Sequence, residues 1–483
     1  MGDVLDAART ALADRPAWLV GGAIRDRALG RETNDLDVVV DGDPADAARA
    51  IARAAGRAAC FALSEQFGAW RVSARDSSWQ VDIEPLRGGS LESDLALRDF
   101  TVNAIAEPLA GGPPIDPLGG LEDLAARRLR VAAPRAFADD PLRVLRLARV
   151  SVELGLVAEP DTLRSASAHA SELVDVSPER VFVELRRIVA AREALRGLQL
   201  MHELGATAIV LPELEALRGV NQNRFHNADV HDHTLEVLAR SIALEEFAAG
   251  GEVDGAEEID RALGRNRTAA AALLAEPLAD GMTRGEALRW GALLHDAAKP
   301  LTRAVRPFDR RVTFLGHDER GATLARAVLS RLRTSERLRA HVASLVRHHL
   351  RLGFLVHEPQ PLSRRTVYSY LRACEPVEVD VTLLSIADRI ATRGDRAEQA
   401  IAAHLHVARA MLADALRWRA EGPAEPLLRG DELGVRLGIA PGPQIGALLE
   451  ELAKAQYAGE IATREQAFAH LEGWGRDARR RSE

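Results

Sequence analysis

Two kinds of hydrophobic pattern divide this chain near residue 136, and they limit the folds that it can adopt. Short apolar runs typical of strands occur before that point, as in AWLV, DLDVVV and WQVDIEPL. Beyond it, apolar residues recur three and four positions apart, as in DDPLRVLRLARVSVELG, which indicates helices with one buried face. We therefore predict an α+β domain over residues 1–136, followed by helices with almost no strand.

Breaks in composition divide the helical remainder. We predict helical domains over residues 137–215, 216–420 and 421–483, the last beginning at the break EGPAEPLLRG. The segment 248–281 is rich in alanine, glycine and acidic residues. We interpret it as an insertion or a mobile helical excursion.

Composition excludes several classes of protein. With 47% hydrophobic and 28% charged residues over 483 positions, the chain is neither disordered nor collagen-like. Its two cysteines, Cys60 and Cys374, lie far apart and outside any CxxC pair, so we expect no zinc ribbon or disulfide framework, as in a cytoplasmic protein. The start MGDVLDAART has no apolar core, and no run of about 18 apolar residues occurs, so we expect neither a signal peptide nor a membrane span.

The charge balance constrains the kind of partner. The net charge of −8 argues mildly against wholesale electrostatic binding of nucleic acid, although it leaves room for a local basic patch. Lysine occurs only at Lys299 and Lys454, so arginine supplies almost all of the positive charge. We interpret this bias mainly as a trace of GC-rich coding.

A glycine turn and two closely spaced aspartates form the first candidate site. Asp35 and Asp37 are two positions apart in a strand, so both carboxylates can point to one face and meet one metal cluster. Magnesium prefers oxygen ligands and shares the phosphates of a substrate. The turn Gly21-Gly22 lets backbone N–H groups approach a triphosphate, and Arg25 follows one helical turn later. Together these residues favour a nucleotide and metal site over simple capping aspartates.

At this point the sequence resembles a known family. LVGGAIRDRALGRETNDLDVVV is similar to the signature of the class II CCA-adding tRNA nucleotidyltransferases and bacterial poly(A) polymerases, within the polymerase-beta nucleotidyltransferase superfamily. Four further motifs follow in the family's order, which makes the resemblance specific: RDFTVNAIA (98–106), DPLGGLEDLAARRLRV (116–131), DDPLRVLRLARV (139–150) and SPERVFVELRRIV (177–189).

The resemblance implies a fold and a reaction. We expect a polymerase-beta-like palm, a helical neck that selects the base and binds RNA, and a helical body and tail. The expected activity adds CCA to tRNA 3′ ends from CTP and ATP. Asp35 and Asp37 would hold two Mg²⁺ ions, and Asp82 would be a third catalytic carboxylate, with Glu84 as a weaker candidate on the same face.

The resemblance also assigns the nucleotide-binding residues. Gly21, Gly22 and Arg25 would hold the triphosphate, and Arg98, Asp99 and Asn103 would contact the ribose. Asp140 and Arg143 would hydrogen-bond the edge of the incoming base, because one group only accepts and the other only donates.

Two positions depart from the family pattern, and one segment is unusually basic. Asp139 stands where the family usually has Glu, and Leu97 where it usually has a second Arg, but neither change affects the residues expected to do chemistry. Residues 127–149 hold seven arginines against two acids, so we predict a surface there that binds the RNA backbone.

A series of histidines and aspartates forms the second candidate site. Imidazoles and carboxylates on separate helices can converge on one or two divalent ions and activate a water. In sequence order the series resembles an HD-domain phosphohydrolase, with Mn, Ni, Co or Fe as the expected metal. The predicted ligands are His233, His295, Asp296, His317, His348 and Asp388, with the neighbouring His349 left as an alternative to His348.

Three alternatives to CCA addition stay open at this stage. A poly(A) polymerase, or an enzyme restricted to A or to CC addition, would use the same palm motifs. A phosphohydrolase whose palm only senses nucleotides is an alternative of another class. The retained aspartates of the palm argue against a mere sensor, since sensing requires no metal-binding pair.

Overall fold

Two structural units divide the chain after Val210. The computed structural model describes residues 2–64, 68–76, 78–222, 228–393 and 397–480, and its two units are Met1–Val210 and Leu211–Glu483. The finer predicted bounds at residues 136, 215 and 420 stay predictions. Among the described residues, no helix has both the length and the apolar character needed to cross a bilayer.

A six-stranded sheet forms the core of the first unit. The strand order is β3-β4-β5-β2-β1-β6, and only β2 and β5 run parallel to each other; the other neighbours are antiparallel. The strands are β1 (Ala17–Val20), β2 (Asp35–Val40), β3 (Ala59–Ser64), β4 (Ala69–Ser73), β5 (Gln80–Pro85) and β6 (Ala106–Pro108).

The two central strands carry the apolar face that anchors the first candidate site. Leu36 and Val38 of β2 and Val81 and Ile83 of β5 are fully buried on one face of the sheet. The alternate residues of the same strands point to the other face, where the register pairs Asp37 with Asp82. The strand period therefore places acidic side chains together on one face.

Eleven helices complete the described part of this unit, together with one short ladder of β7 (Arg128–Leu129) and β8 (Val157–Ala158). Helix α3 packs on the sheet, and α7, α9 and α10 pack on one another through buried aliphatic faces. The helices are α1 (Gly2–Ala11), α2 (Gly22–Ala28), α3 (Pro44–Ala54), α4 (Leu91–Ala96), α5 (Gly120–Ala125), α6 (Ala136–Asp139), α7 (Arg143–Leu154), α8 (Pro160–Ala168), α9 (Pro178–Ala190), α10 (Ala194–Glu203) and α11 (Thr207–Val210).

The second unit is built from helices. Helices α13, α16, α19 and α22 pack against one another, and α14 packs on α22 and α23. The helices are α12 (Pro212–Glu215), α13 (Val230–Ala248), α14 (Ala256–Leu263), α15 (Arg267–Leu274), α16 (Arg284–Leu294), α17 (Lys299–Thr302), α18 (His317–Arg331), α19 (Glu336–His348), α20 (Arg351–Leu355), α21 (Arg364–Cys374), α22 (Glu378–Ala391), α23 (Ala397–Glu421), α24 (Gly430–Leu437), α25 (Pro443–Tyr457) and α26 (Arg464–Arg480).

Two sequence predictions about this unit need correction. The segment 248–281 is not a loose excursion, because α14 and α15 bury Ile259, Leu263 and Leu273 against their neighbours. The region beyond residue 136 also contains short strands, which alternation over two or three residues is too brief to reveal. In the second unit these are β9 (Pro277–Ala279), β10 (Met282–Thr283), β11 (Ala304–Val305) and β12 (Val312–Thr313).

Candidate active sites

The glycine turn after β1 lies beside the paired aspartates of β2. Val20, the last residue of β1, is opposite Asp37 in the antiparallel register. Gly21 then has φ +69°, and a Cβ atom there would approach Arg98 Nη1 to 3.0 Å and the carbonyl of Asn103 to 3.3 Å. Only glycine fits this position without strain, because the backbone is left-handed and the space is occupied. The same Cβ atom would lie 3.9 Å from Asp37 Oδ2, so the turn brings Arg98 and Asp37 close to one point beside the glycine.

Asp37 lies in an acidic environment that disfavours its charge. Burial, together with the nearby carboxylates of Asp35 and Glu84, raises its pKa to about 7 against the opposing charge of Arg98. Asp35 is exposed, and its Oδ1 accepts a hydrogen bond from Gln80 Nε2 at 3.0 Å. A divalent cation would offset the repulsion between these carboxylates, so the residues fit the predicted magnesium site.

A chain of hydrogen bonds joins the residues predicted to bind the phosphates and the ribose. Arg25 Nη1 donates to Asn103 Oδ1 at 2.6 Å, and Asn103 Nδ2 donates to Asp99 Oδ1 at 2.9 Å. Arg146 lies 2.8 Å from the other oxygen of Asp99. Burial raises the pKa of Asp99, but the charge of Arg146 and the bond from Asn103 outweigh it, and the net pKa is lowered. Asp99 is therefore held as a buried carboxylate that fixes Asn103.

One polar cavity of about 490 Å³ brings most of the predicted residues together. Seven arginines and six acids line it, a mixture suited to phosphates and metal ions together. Arg87, Arg146, Arg149 and Arg187 were not predicted as site residues individually. The predicted residues on its wall are Gly21, Gly22, Arg25, Asp35, Asp37, Arg98, Asp99, Asn103, Asp140 and Arg143.

Asp82, the predicted third catalytic carboxylate, does not line this cavity. It lies on the same face as Asp37, but Arg71 of β4 holds both of its oxygens, at 2.6 and 2.7 Å. Glu84, the weaker candidate from sequence, lines the cavity instead. The cross-strand register pairs Arg71 with Asp82, and this neighbour could not be read from the sequence of β5 alone.

The residues predicted to read the base already have partners within the protein. Arg180 donates to Asp140 Oδ2 at 2.8 Å. Arg143 donates to the backbone carbonyls of Leu97 at 2.8 Å and Ala136 at 3.1 Å. Both residues therefore have fixed positions at the cavity, but their hydrogen-bonding capacity is partly used.

The arginine-rich segment 127–149 is less available to RNA than its composition suggests. Six of its seven arginines bond acidic side chains or backbone carbonyls. In the clearest case Arg149 lies 2.5 Å from Glu184 and 2.8 Å from Glu153, with Arg149 and Glu184 nearly buried. Much of the positive charge of this segment is therefore balanced within the protein, and the predicted surface for the RNA backbone stays a prediction.

The second unit gathers a histidine and aspartate cluster at the ends of its packed helices. His295 Nε2 lies 3.1 Å from Asp296 Oδ2, and His317 Nε2 lies 3.3 Å from Asp296 Oδ1. His233 Nε2 lies 3.1 Å from Asp388 Oδ1 and 3.8 Å from Asp296 Oδ2. Two overlapping groups in this cluster have the ligand spacing of a metal site: His233, His295 and Asp296, and Asp296, His317 and His349.

The tautomers of three histidines follow from their neighbours. The Nδ1 atoms of His295, His317 and His349 lie 2.6–2.7 Å from backbone carbonyls three residues earlier. A carbonyl only accepts, so each Nδ1 carries a proton and each Nε2 is the ring atom that can bind a metal. All three Nε2 atoms therefore point into the cluster as potential ligands, which fits a divalent metal.

His349, and not His348, belongs to this cluster. His349 Nε2 lies 3.3 Å from His317 Nε2, whereas His348 accepts a hydrogen bond from Arg351 outside the cluster. Burial and the charge of His295 lower the pKa of His349 to about 4. The apolar spacing of α19 contained the signal, because Val342 and Val346 precede His349 by seven and three residues on the buried face.

Lys299 and Gln222 complete the cluster and were missed from the sequence. Lys299 Nζ lies 2.6 Å from Asp296 Oδ2 and 2.6 Å from Gln222 Oε1. Burial raises the pKa of Asp296, but the charges of His295 and Lys299 lower it well below its usual range. The available signal in the sequence was Lys299 itself, which is one of only two lysines in the chain.

Three parts of the chain match known protein families. Family models match residues 17–130 (poly A polymerase head domain), 155–217 (probable RNA and SrmB-binding site of polymerase A) and 264–393 (HD domain). The A-adding tRNA nucleotidyltransferase of Deinococcus radiodurans is 34% identical over 95% of this chain and 96% of its own. The chain belongs to the tRNA nucleotidyltransferase and poly(A) polymerase family. The CC-adding tRNA nucleotidyltransferase of Thermus thermophilus is 33% identical over 96% of this chain and 95% of its own.

The fold of this nucleotidyltransferase is also that of a solved relative. A CCA-adding enzyme in complex with ATP superposes with a TM-score of 0.63, covering 98% of this chain and 96% of that one at 19% identity. The predicted family, the α+β class with a nucleotidyltransferase head and an HD domain, and the assignment as an enzyme are confirmed.

Proposed function

We propose that this nucleotidyltransferase adds CCA to tRNA 3′ ends from CTP and ATP, with Asp35 and Asp37 holding two magnesium ions. The observation that carries the proposal is the polar cavity that both carboxylates line together with Gly21 and Arg98. When bound, magnesium would supply charge stabilisation for the departing pyrophosphate and activate the primer hydroxyl.

The protein's own side chains would bind the triphosphate and the ribose at this site. Arg25 and Arg98 place positive charge at the cavity wall, where a triphosphate would need it. Asn103 is held by Asp99 and Arg25, which suits it to orient a ribose hydroxyl. The backbone N–H of Gly21 already donates to the carbonyl of Ile105 at 2.9 Å, so Gly21 contributes shape and close approach rather than a donor.

The base would be selected by Asp140 and Arg143. A carboxylate accepts and a guanidinium donates, so together they can pair with cytosine or adenine, whereas uracil and guanine present different donor patterns. Arg143 must then exchange at least one of its bonds to the carbonyls of Leu97 and Ala136 for a bond to the base. This exchange makes base selection sensitive to the loop that carries Leu97.

Labelled CTP and ATP offered to two tRNA acceptors test the proposal. One acceptor lacks its last three nucleotides and the other ends in CC. Addition of C, C and then A to the first and of A to the second is expected, and the Asp35→Ala variant should add nothing. Addition of C alone, of A alone to the CC acceptor, or of a long A tract would replace the proposal with a restricted enzyme or a poly(A) polymerase. A restricted enzyme is a specific alternative, because the two relatives compared over nearly their full length add A and CC respectively.

We propose a second activity, metal-dependent phosphoester hydrolysis, for the histidine and aspartate cluster. Its supporting observation is the convergence of three Nε2 atoms on Asp296 in a buried setting. The buried Nε2 atom of His295 has no hydrogen bond of normal geometry, which a metal ion would remedy. Bound manganese, nickel, cobalt or iron would supply an activated water at neutral pH.

Hydrolysis of a nucleoside 2′,3′-cyclic phosphate after loading with each metal tests this activity. We expect hydrolysis by the wild type and by His348→Ala, and loss of both metal binding and hydrolysis in His349→Ala. Metal binding is measured directly by calorimetry, so it does not depend on the choice of substrate. Equal metal affinity of the two variants would show that the cluster is not the metal site.

A further inference from the structure

A short hairpin forms one wall of the cavity above the histidine and aspartate cluster. Its strands β11 and β12 pair Ala304 with Thr313 and Val305 with Val312. Val312, Thr313 and the following Phe314 line this cavity of about 600 Å³, and the carbonyl of Phe314 accepts the Nδ1 proton of His317. The hairpin is therefore joined directly to a residue of the cluster.

The outer surface of the hairpin is strongly basic. Between residues 303 and 315 there are four arginines and one acid, Asp309. Asp309 lies 2.5 Å from Arg306 and 3.9 Å from Arg311, which leaves two exposed arginines, Arg303 and Arg310. Neither of these two pairs with an acidic side chain in the described ranges of the chain. Their charge is available to a phosphate backbone.

Large apolar side chains are exposed on the same surface. Phe308 at the tip of the hairpin is completely exposed, and Leu315 and Phe354 on the cavity wall are 84% and 66% exposed. Exposed aromatic rings next to unpaired arginines are typical of surfaces on which single-stranded bases stack.

We propose that this hairpin binds single-stranded RNA and leads its phosphorylated 3′ end into the cavity of the cluster. The proposal rests on the hydrolytic activity proposed above and names its substrate class. Phe308 and Thr313 are five positions apart, so the tip stands at most about 17 Å from the cavity wall, a span that a few nucleotides can cover. The cavity volume lies in the range of sites that enclose small molecules, and a terminal nucleotide is a molecule of that size.

The reaction implied is a simple hydrolysis. The oxygen of water bonds to phosphorus, the bond from phosphorus to the ribose oxygen breaks, and that oxygen takes up a proton. The products are inorganic phosphate and an RNA with a free hydroxyl. Water is the only co-reactant, and no electron transfer is involved.

Binding of a short 5′-labelled single-stranded RNA with a 3′-phosphate to the full chain tests the proposal. Fluorescence anisotropy over a range of salt concentrations compares the wild type with Arg303→Gln/Arg310→Gln. Loss of two phosphate contacts should make the plot of log affinity against log salt shallower by about 1.4. Phe308→Ala should weaken binding by at least about five-fold, the low end of a lost stacking contact. A photoreactive base near the 3′ end should crosslink to residues 304–315.

The matched control changes two other exposed arginines of the same unit. Arg333 and Arg337 lie at the turn between α18 and α19, at the opposite end of both helices from His317 and His349. The length of α19 puts Arg337 about 18 Å along the helix from His349. Arg333→Gln/Arg337→Gln should therefore bind and crosslink as the wild type does.

The outcomes separate this proposal from the activity on which it rests. Three results would overturn the proposal that the hairpin binds RNA. They are an equal loss of RNA affinity in the control variant, an unchanged RNA affinity of the hairpin variants, and crosslinks confined to the first unit. A change from dimer to monomer in Phe308→Ala, seen by light scattering, would overturn the proposal in favour of a protein contact. Hairpin-dependent binding without any release of phosphate would support RNA binding by the hairpin and refute the hydrolase. If the hairpin variants hydrolyse both nucleoside 3′-monophosphate and RNA as well as the wild type does, the RNA-binding role of the hairpin is refuted and the hydrolytic activity stands.

Discussion

Replacement of Asp37 by asparagine should stabilise the metal-free protein while abolishing nucleotide addition. Burial and neighbouring acids raise the pKa of Asp37 from 3.8 to about 7. A folded state with the higher pKa binds the proton more tightly than the unfolded chain does. The stability that this proton contributes is complete below pH 3.8 and is lost as the pH rises to about 7. At neutral pH the wild type therefore carries a destabilising charge that asparagine removes.

The magnitude follows from the size of the shift. A change of about three pKa units corresponds to about 4 kcal/mol. Since the side chain is partly exposed, solvent screening reduces this to about 2 kcal/mol. For a unit of about 200 residues, that difference raises the melting temperature by roughly 4–8 °C.

Differential scanning fluorimetry between pH 5 and 8, with and without magnesium, measures the effect. In EDTA, Asp37→Asn should melt above the wild type at pH 8, and the gap should shrink toward pH 5. Magnesium should stabilise the wild type and leave the variant unchanged. Asp35→Asn is the matched control, because Asp35 is exposed and its replacement relieves no buried charge, although it should also abolish addition. A lower melting temperature for Asp37→Asn in EDTA at pH 8 would refute the reasoning.

The remaining predictions concern three other positions. Arg143→Ala should reduce the preference for CTP over UTP by at least about ten-fold in single-turnover assays, and an unchanged preference would place base selection elsewhere. In the second unit, His295→Ala/Asp296→Ala should eliminate metal-dependent hydrolysis without affecting CCA addition, which primer-extension gels would show. Arg149→Ala should lower the free energy of unfolding by about 3–5 kcal/mol in urea titrations, because it leaves Glu184 buried and unpaired. Recovery of stability by Arg149→Met combined with Glu184→Leu would confirm that reason, and equal instability of the double variant would contradict it.

The first candidate site could be predicted from the sequence to the extent that its residues lie in short ordered motifs. Asp35 and Asp37 share a face because a strand repeats every two residues, and Gly21 is required by a left-handed turn. The role of Asp82 could not be judged in the same way. Its partner Arg71 lies on an adjacent strand, and strand order is a property of the sheet.

The basic segment 127–149 shows a second limit of prediction from sequence, which is that the free charge of a surface cannot be read from local composition. Its arginines are close in sequence, but some of the acids that neutralise them are distant, such as Glu184 of α9 for Arg149 and Asp99 for Arg146. Ion pairs form at distances of a few ångströms in space, so a local count of charges overstates the free positive surface.

Local periodicity therefore determined which elements form and which residues each presents, whereas packing decided which of them meet. The sequence by itself specified the paired aspartates and the strand-bearing first part, and it specified the histidine and aspartate series of the second unit. The tertiary structure decided between His348 and His349, although the apolar spacing of α19 favoured His349, because two adjacent helical residues point about 100° apart and only one of them reaches the cluster. Lys299 lies only three residues after its partner Asp296, but Gln222 joined that cluster through packing alone, since its contact with Lys299 spans 77 residues.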